Sequence, residues 1–223
     1  MQQTDDSKFT LRQVEISSDG SATLFVPALD EHYHSVHGAH NESLHVFIEA
    51  GLKQITASSV KILEVGMGTG LNVWLTALHN AGKSIEYHTI EKYPLQPELF
   101  LQLNYFNNEE EKQLLRDIHN STWDAMFELQ KDFKLLKQQG DFMDVTIGKE
   151  YNLVYYDAFA PEKQPEMWEP EIFEKIYNAM APGGILVTYC AKGHVRRMLQ
   201  GIGFEVERIP GPPFKRHMTR AIK

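Results

Sequence analysis

Residues 60–72, VKILEVGMGTGLN, run from an apolar strand directly into Gly66, Gly68 and Gly70 and out into a helix. This turn is one step of a longer alternation. Strands are expected at 60–65, 85–91, about 133–138, 151–157 and 184–190, with helices at about 70–81, across about 97–130, at 169–180 and at 193–202. Strands that alternate with helices build a mostly parallel sheet covered on both faces. The last two apolar stretches, FEVERIP and HMTRAIK, are separated only by GPPFKR, too short for a crossover helix, so they should pair antiparallel at the sheet edge. Upstream, LRQVEISSDGSATLFV alternates on either side of Ser-Asp-Gly as a hairpin does, and a helix follows from Glu42. The expected fold is α/β: a Rossmann-like, doubly wound sheet of seven strands, mostly parallel, with an antiparallel C-terminal hairpin and a small N-terminal β-hairpin extension. Residues 1–50 would form the extension and a helical cover segment, and 51–223 the main domain. The charged stretch 107–140 has the character of an amphipathic insertion.

The glycine turn narrows the ligand. Without Cβ atoms its backbone can approach a nucleotide-like molecule closely. Leu71 stands where a dinucleotide fingerprint needs glycine, and no lysine follows as in a P-loop. Glu64, just before the turn, would repel a pyrophosphate and attract a cationic amino acid. The next strand ends on Glu91, about twenty residues on, where a carboxylate can accept both ribose hydroxyls. Asp141, after the third strand, is placed to take an adenine amino group, with Phe142 against the ring. An amino acid, a ribose and an adenine together describe S-adenosylmethionine, and the order resembles the class I methyltransferase pattern. The cofactor set is then Glu64, Gly66, Met67, Gly68, Gly70, Glu91, Lys92, Asp141, Phe142 and Asp157.

Asp157 ends an otherwise apolar strand, YNLVYY, and is followed by Phe159 and Pro161. Ligands of open α/β sheets lie over the carboxyl ends of the strands, so Asp157 should face the reactive end of the cofactor. Asp157 and Phe159 are the catalytic candidates: the acid to hold and deprotonate an amine, the ring to stack on the acceptor. DAFAPEKQPEMW, with TIEKYPL upstream and APGGILVTYCAKGHVRRMLQGIGFEVERIPGPPFKRHM downstream, resembles the MnmD family, from about Tyr33 to Met218. That family is also the methyltransferase half of bifunctional MnmC. The resemblance implies methylation of the exocyclic amine of 5-aminomethyl-2-thiouridine at the tRNA wobble position, giving 5-methylaminomethyl-2-thiouridine. It also puts YHSVHGAHNES over the cofactor pocket, with Tyr33, His34, Ser35 and Glu42 as lining candidates. Bifunctional members continue into a flavin-dependent oxidase that removes a carboxymethyl group. A chain ending at Lys223 resembles the stand-alone type, with a separate FAD-dependent oxidase acting upstream as a candidate partner.

Charge points to the same acceptor. The net charge is −8, yet residues 190–223 hold eight basic side chains against two acidic ones. Lys192, Arg196, Arg197, Lys215 and Arg216 are therefore the expected phosphate contacts for a tRNA anticodon stem-loop. The rivals are a methyltransferase or aminopropyltransferase acting on a free small-molecule amine, and a non-catalytic binding module. The longest apolar runs fall well short of the ~20 residues of a membrane span, and no signal peptide is visible, so a cytoplasmic protein is expected. His32, His34, His37, His40 and His45 crowd one segment, but no cysteine lies near and the acid spacing fits no metal site. Cys190, alone in the chain and inside an apolar run, reads as a buried structural thiol, and Trp168 as a core anchor.

Overall fold

The strands that read as uninterrupted apolar runs lie at the centre of the sheet, where both faces are covered. The computed structural model describes residues 11–223; the first ten residues of the expected 1–50 segment lie outside the described residues. An N-terminal extension comprises β1 (Gln13–Ile16), β2 (Ala22–Val26) and β3 (Glu31–His32), an antiparallel ribbon in that order. The expected hairpin thus gains a short third strand. Helix α1 (Ala39–Ser43) runs on into a π-helical turn, Leu44–Glu49. The main unit follows as β4 (Ser59–Val65), α2 (Leu71–Leu78), β5 (Ser84–Glu91), α3 (Pro97–Phe100), α4 (Glu109–Asn120), β6 (Met126–Gln130), β7 (Phe133–Gln139) and β8 (Tyr151–Tyr156). It closes with α5 (Pro170–Ala179), β9 (Met180–Thr188), α6 (Gly193–Ile202), β10 (Glu205–Pro210) and β11 (His217–Ile222).

The sheet order is β10-β11-β9-β8-β4-β5-β7-β6. Strands β9, β8, β4, β5 and β7 pair in parallel, while β11 runs antiparallel between β10 and β9, the C-terminal hairpin the short GPPFKR turn demanded. Successive side chains of β4 and β8 alternate between two apolar clusters. Ile62, Leu153 and Tyr155 face α2 and the π-helical turn, whereas Leu63, Val65, Val154 and Tyr156 face α5 and α6. Ala22, Leu24 and Val46 join the first cluster, so the extension is tied into the core beneath the sheet's carboxyl edge. Arg12 reinforces the link by donating to the carbonyls of Tyr93 and Pro94.

The strand count differs from expectation: the central sheet has eight strands, not seven, because part of the stretch expected to be helical is β6. Helix within 97–130 is confined to α3 and α4. Asn108 caps α4 by accepting from the Glu111 amide at 2.9 Å, and Glu111 in turn accepts from the Asn107 amide at 2.7 Å. Beyond Asn120 the chain turns back through Asp132, whose φ of 61° closes an antiparallel β6–β7 hairpin at the sheet edge. β6 is largely exposed, so the FELQ pattern gave no buried-strand signal. Cys190 and Trp168 are both buried in the second cluster.

Phe173 is fully buried, packed on Tyr156 at 4.7 Å between ring centroids and near Trp168 at 6.0 Å. Phe173→Ala is expected to cost about 3–5 kcal/mol of folding stability in urea denaturation with an unchanged m-value; a loss below about 1 kcal/mol would contradict this packing.

Candidate active site

Strand order reverses between β4 and β8, since β5 is added on one side of β4 and β9 on the far side of β8. The crevice at that point is where open α/β sheets hold ligands. Gly66 leaves β4 with φ 89° and Gly68 follows at φ 54°. A Cβ on Gly66 would lie 3.0 Å from the Asp157 carbonyl oxygen, and one on Gly68 would lie 2.9 Å from the Tyr33 ring. Only bare backbone fits between them. A cavity of about 1120 Å³ opens over this turn. It exceeds the roughly 300–1,000 Å³ of a single small-ligand pocket, leaving room for a cofactor and an acceptor side by side.

Of the cofactor candidates, Gly66, Met67, Gly68, Glu91, Lys92, Asp141, Phe142 and Asp157 line this cavity. Glu91 accepts from the Gly68 amide at 2.9 Å and the Tyr93 amide at 2.8 Å, which ties the glycine turn to the end of β5. Lys92 Nζ donates to Asp141 at 3.1 Å. Lys175 stands 4.9 Å from the Phe142 ring centroid and donates to nearby backbone carbonyls, fixing the loop after β7. Two candidates sit outside the lining. Gly70 caps α2 in a left-handed conformation, and Glu64 is fully buried behind the turn.

Asp157 and Phe159 both line the cavity, and Phe159 meets Tyr33 edge-on at 5.1 Å. The loop carrying them is held by its carbonyls: Trp168 Nε1 donates to Phe159 O at 2.7 Å and Tyr189 OH to Ala158 O at 2.9 Å. Asn72, on the first turn of α2, donates from Nδ2 to Asp157 Oδ2 at 2.9 Å. Burial pushes the Asp157 carboxyl up to about 7; the Asn72 bond draws it down, Glu42 adds to the rise and Lys215 opposes it. Neither Glu64 oxygen has a hydrogen-bond partner of sound geometry, and Asn72 Oδ1, Tyr87 OH and Thr89 Oγ1 are likewise unpaired. Burial pushes Glu64 up to about 8, with Thr89 opposing and the Asp157 charge adding to the rise. Two acids thus lie one behind the other, the front one held by Asn72.

Asn72 is the contributor that sequence reasoning missed; its only signal was a polar residue on a helix face that otherwise enters the core. The cover segment meets the cavity as expected, with Tyr33, His34, Ser35 and Glu42 in its lining. The five histidines disperse to separate partners: His32 to Glu15, His34 to Thr69, His37 to Phe214, His40 to Trp74 and His45 to the Pro210 carbonyl. The basic candidates separate too. Lys215 turns inward to an ion pair with Glu42, its ammonium 4.6 Å from the Tyr189 ring centroid, so it belongs to the cavity wall. Lys192 pairs with Glu162, while Arg197 and Arg216 are exposed and Arg196 is half-buried.

Residues 107–223 match the model of an S-adenosyl-L-methionine-dependent methyltransferase family, and the chain belongs to that family. Its cofactor is therefore S-adenosylmethionine. The bare glycine backbone, with Glu91, Asp141 and Phe142 along the same wall, fits a nucleoside-linked amino acid of that kind. The chain is 33% identical over 175 residues to the tRNA 5-methylaminomethyl-2-thiouridine biosynthesis bifunctional protein MnmC of Chromobacterium violaceum, covering 73% of this chain and 26% of that protein. It is 32% identical over 215 residues to the protein of the same name from Cupriavidus necator, covering 88% and 32%. It thus spans only about a quarter to a third of these curated relatives. Among solved structures, MnmC2 from Aquifex aeolicus superposes with a TM-score of 0.75 at 27% identity, over 95% of this chain and 70% of that one.

The raised acids set the pH dependence of stability. Folded, Glu64 and Asp157 hold protons up to about 8 and about 7, whereas the ordinary values are 4.5 and 3.8. Between these limits the folded state binds more protons than the unfolded one, so stability falls as pH rises from about 4 to about 8. Glu64→Gln should become steadily more stable relative to wild type between about pH 5 and 8 in urea denaturation; parallel curves would contradict the assignment.

Proposed function

We propose that the protein methylates the 5-aminomethyl group of 2-thiouridine at the tRNA wobble position, giving 5-methylaminomethyl-2-thiouridine. The observation that carries this reading is Asp157, a carboxylate in the wall of a two-ligand cavity, shielded enough to titrate near 7 and flanked by the Phe159 and Tyr33 rings. The MnmC relatives are named for tRNA 5-methylaminomethyl-2-thiouridine biosynthesis, which supports an acceptor one methyl group short of that nucleoside, and the exposed Arg197 and Arg216 outside the cavity agree with a nucleic acid.

S-adenosylmethionine supplies an electrophilic methyl group on a sulfonium that leaves as a neutral thioether. In the proposed arrangement Gly66, Met67 and Gly68 receive its amino-acid part on bare backbone, Glu91 accepts the ribose hydroxyls, and Asp141 with Phe142 holds the adenine. Lys92 keeps Asp141 in place. Asp157 then has two tasks, positioning first and proton acceptance second. An alkylammonium with a pKa of about 10.4 has no free lone pair at neutral pH. The carboxylate draws it in as an ion pair and aims the nitrogen at the methyl group, the alignment from which most of the rate comes. It then accepts the proton that nitrogen must lose. An acceptor near 7 rather than 3.8 makes that transfer less uphill by on the order of 4 kcal/mol. Asn72 fixes the orientation of the carboxylate, and Phe159 with Tyr33 provides faces for the pyrimidine.

Arg196, Arg197 and Arg216 are proposed to contact the phosphates of the anticodon stem-loop; Lys192 and Lys215, held by Glu162 and Glu42, have a smaller share. The aminomethyl acceptor is itself a product of oxidative chemistry, and an upstream FAD-dependent oxidase is the proposed source. A tRNA acceptor also assigns the reaction to the cytoplasm. Among the described residues no helix is long and apolar enough to cross a membrane.

Purified protein with methyl-labelled S-adenosylmethionine is expected to label bulk tRNA from a strain lacking the modification. Label in a free polyamine but not in that tRNA would overturn the reading. Because the productive complex needs Asp157 ionised, log kcat/KM should rise with unit slope below about pH 7 and level off above it. Asp157→Asn should lower kcat about 10²–10⁴-fold and remove that inflection while retaining cofactor affinity; loss of cofactor binding would give Asp157 a cofactor role instead.

A further inference from the structure

The turn between β10 and β11 carries an aromatic ring that neither the core nor the cavity uses. Phe214 is 79% exposed, the most exposed of the large apolar side chains among the described residues. Its backbone lies in the left-handed region at φ 70°, an unfavourable conformation for a residue with a side chain. The turn that holds it there is tight. Lys215 N donates to Pro212 O at 2.9 Å and Gly211 N to Arg216 O at 3.3 Å, and a Cβ on Gly211 would lie 2.4 Å from Lys215 O. Pro212 and Pro213 fix two further φ angles, and the His45 ring is bonded to the Pro210 carbonyl at 3.0 Å. The ring is thus held outward in one place.

That place is the rim of the cavity. The next residue, Lys215, reaches inward to Glu42, and the His37 ring lies 4.8 Å from Phe214 at 33°, directly after the cavity-lining Val36. Around the turn the charge is positive. Arg208 and Arg216 on β10 and the turn are exposed and Arg196 on α6 is half-buried, and partial desolvation followed by the charges of these three arginines holds His217 below the usual histidine range. A protein partner would call for a contiguous apolar patch, whereas here an aromatic pair stands within cations on an otherwise acidic chain. Aromatic faces beside cationic side chains are how proteins grip unpaired nucleotides.

We propose that Phe214, backed by His37, is a stacking platform for an unpaired nucleotide of an RNA loop, adjacent to the one that enters the cavity, with Arg196, Arg208 and Arg216 on the flanking phosphates. The proposal rests on the RNA reading above.

The test uses the full chain and an anticodon stem-loop RNA with 2-aminopurine in the loop, next to the wobble position. Phe214→Ala should weaken binding about 5- to 150-fold and abolish the quenching of 2-aminopurine on binding, while the slope of log K against log salt stays as in wild type. Phe214→Trp should restore both affinity and quenching. Arg216→Gln should reduce the salt slope by about one with quenching retained. Wild-type affinity and quenching in Phe214→Ala would overturn the platform while leaving the methyltransfer reading intact. Wild-type protein that neither binds nor methylates RNA would overturn both. Unchanged RNA affinity with a shift from dimer to monomer in sedimentation would give the ring to a second copy of this chain, and that too would overturn the platform.

Discussion

The contact between the glycine turn and the start of the acceptor loop is the constraint on which the rest of the site depends. Asp157 N donates to Val65 O at 3.1 Å, and the Asp157 carbonyl leaves no space for a side chain on Gly66. This joins the ends of β4 and β8 at the reversal of strand order, so the backbone that receives a cofactor and the carboxylate that faces an acceptor are parts of one junction.

The same junction carries an energetic conflict. Glu64 and Asp157 are two acids in poorly solvated positions, and the one amide between them, Asn72, donates to Asp157 and leaves its own oxygen unpaired. Desolvation costs stability as soon as either acid ionises. What that cost provides is a carboxyl group that changes charge near neutral pH, the range in which the proposed amine acceptor would need a proton acceptor. Glu64, which the sequence placed against the cofactor's ammonium group, lies fully buried behind the turn, and the charge of Asp157 adds to the burial that pushes its carboxyl up.

Much of this was legible in the sequence because it rests on patterns that tertiary context does not overrule. The central strands are dominated by apolar residues, the glycines sit at positive φ angles that residues with side chains rarely adopt, and Asp157 follows an apolar run directly. The edge was less legible. β6 is exposed and carries no strand periodicity, and its hairpin turns on Asp132 rather than on glycine, so it was absorbed into a helix. Charge was the other weak point. Lys215 sits among basic residues in the chain but pairs with Glu42, which lies far from it in sequence. Asn72 was hidden for a similar reason: only the packing of α2 on β8 brings its amide to Asp157.

The central claim is that Asp157 titrates near neutrality in the folded protein. The carboxyl carbon resonance of Asp157, followed by NMR in protein labelled with ¹³C-aspartate and assigned by its absence in Asp157→Asn, measures this directly. A midpoint at about 7 is the predicted result. A midpoint near the ordinary aspartate value of about 3.9 would contradict it and leave the residue as a fixed negative charge that positions the amine without taking its proton.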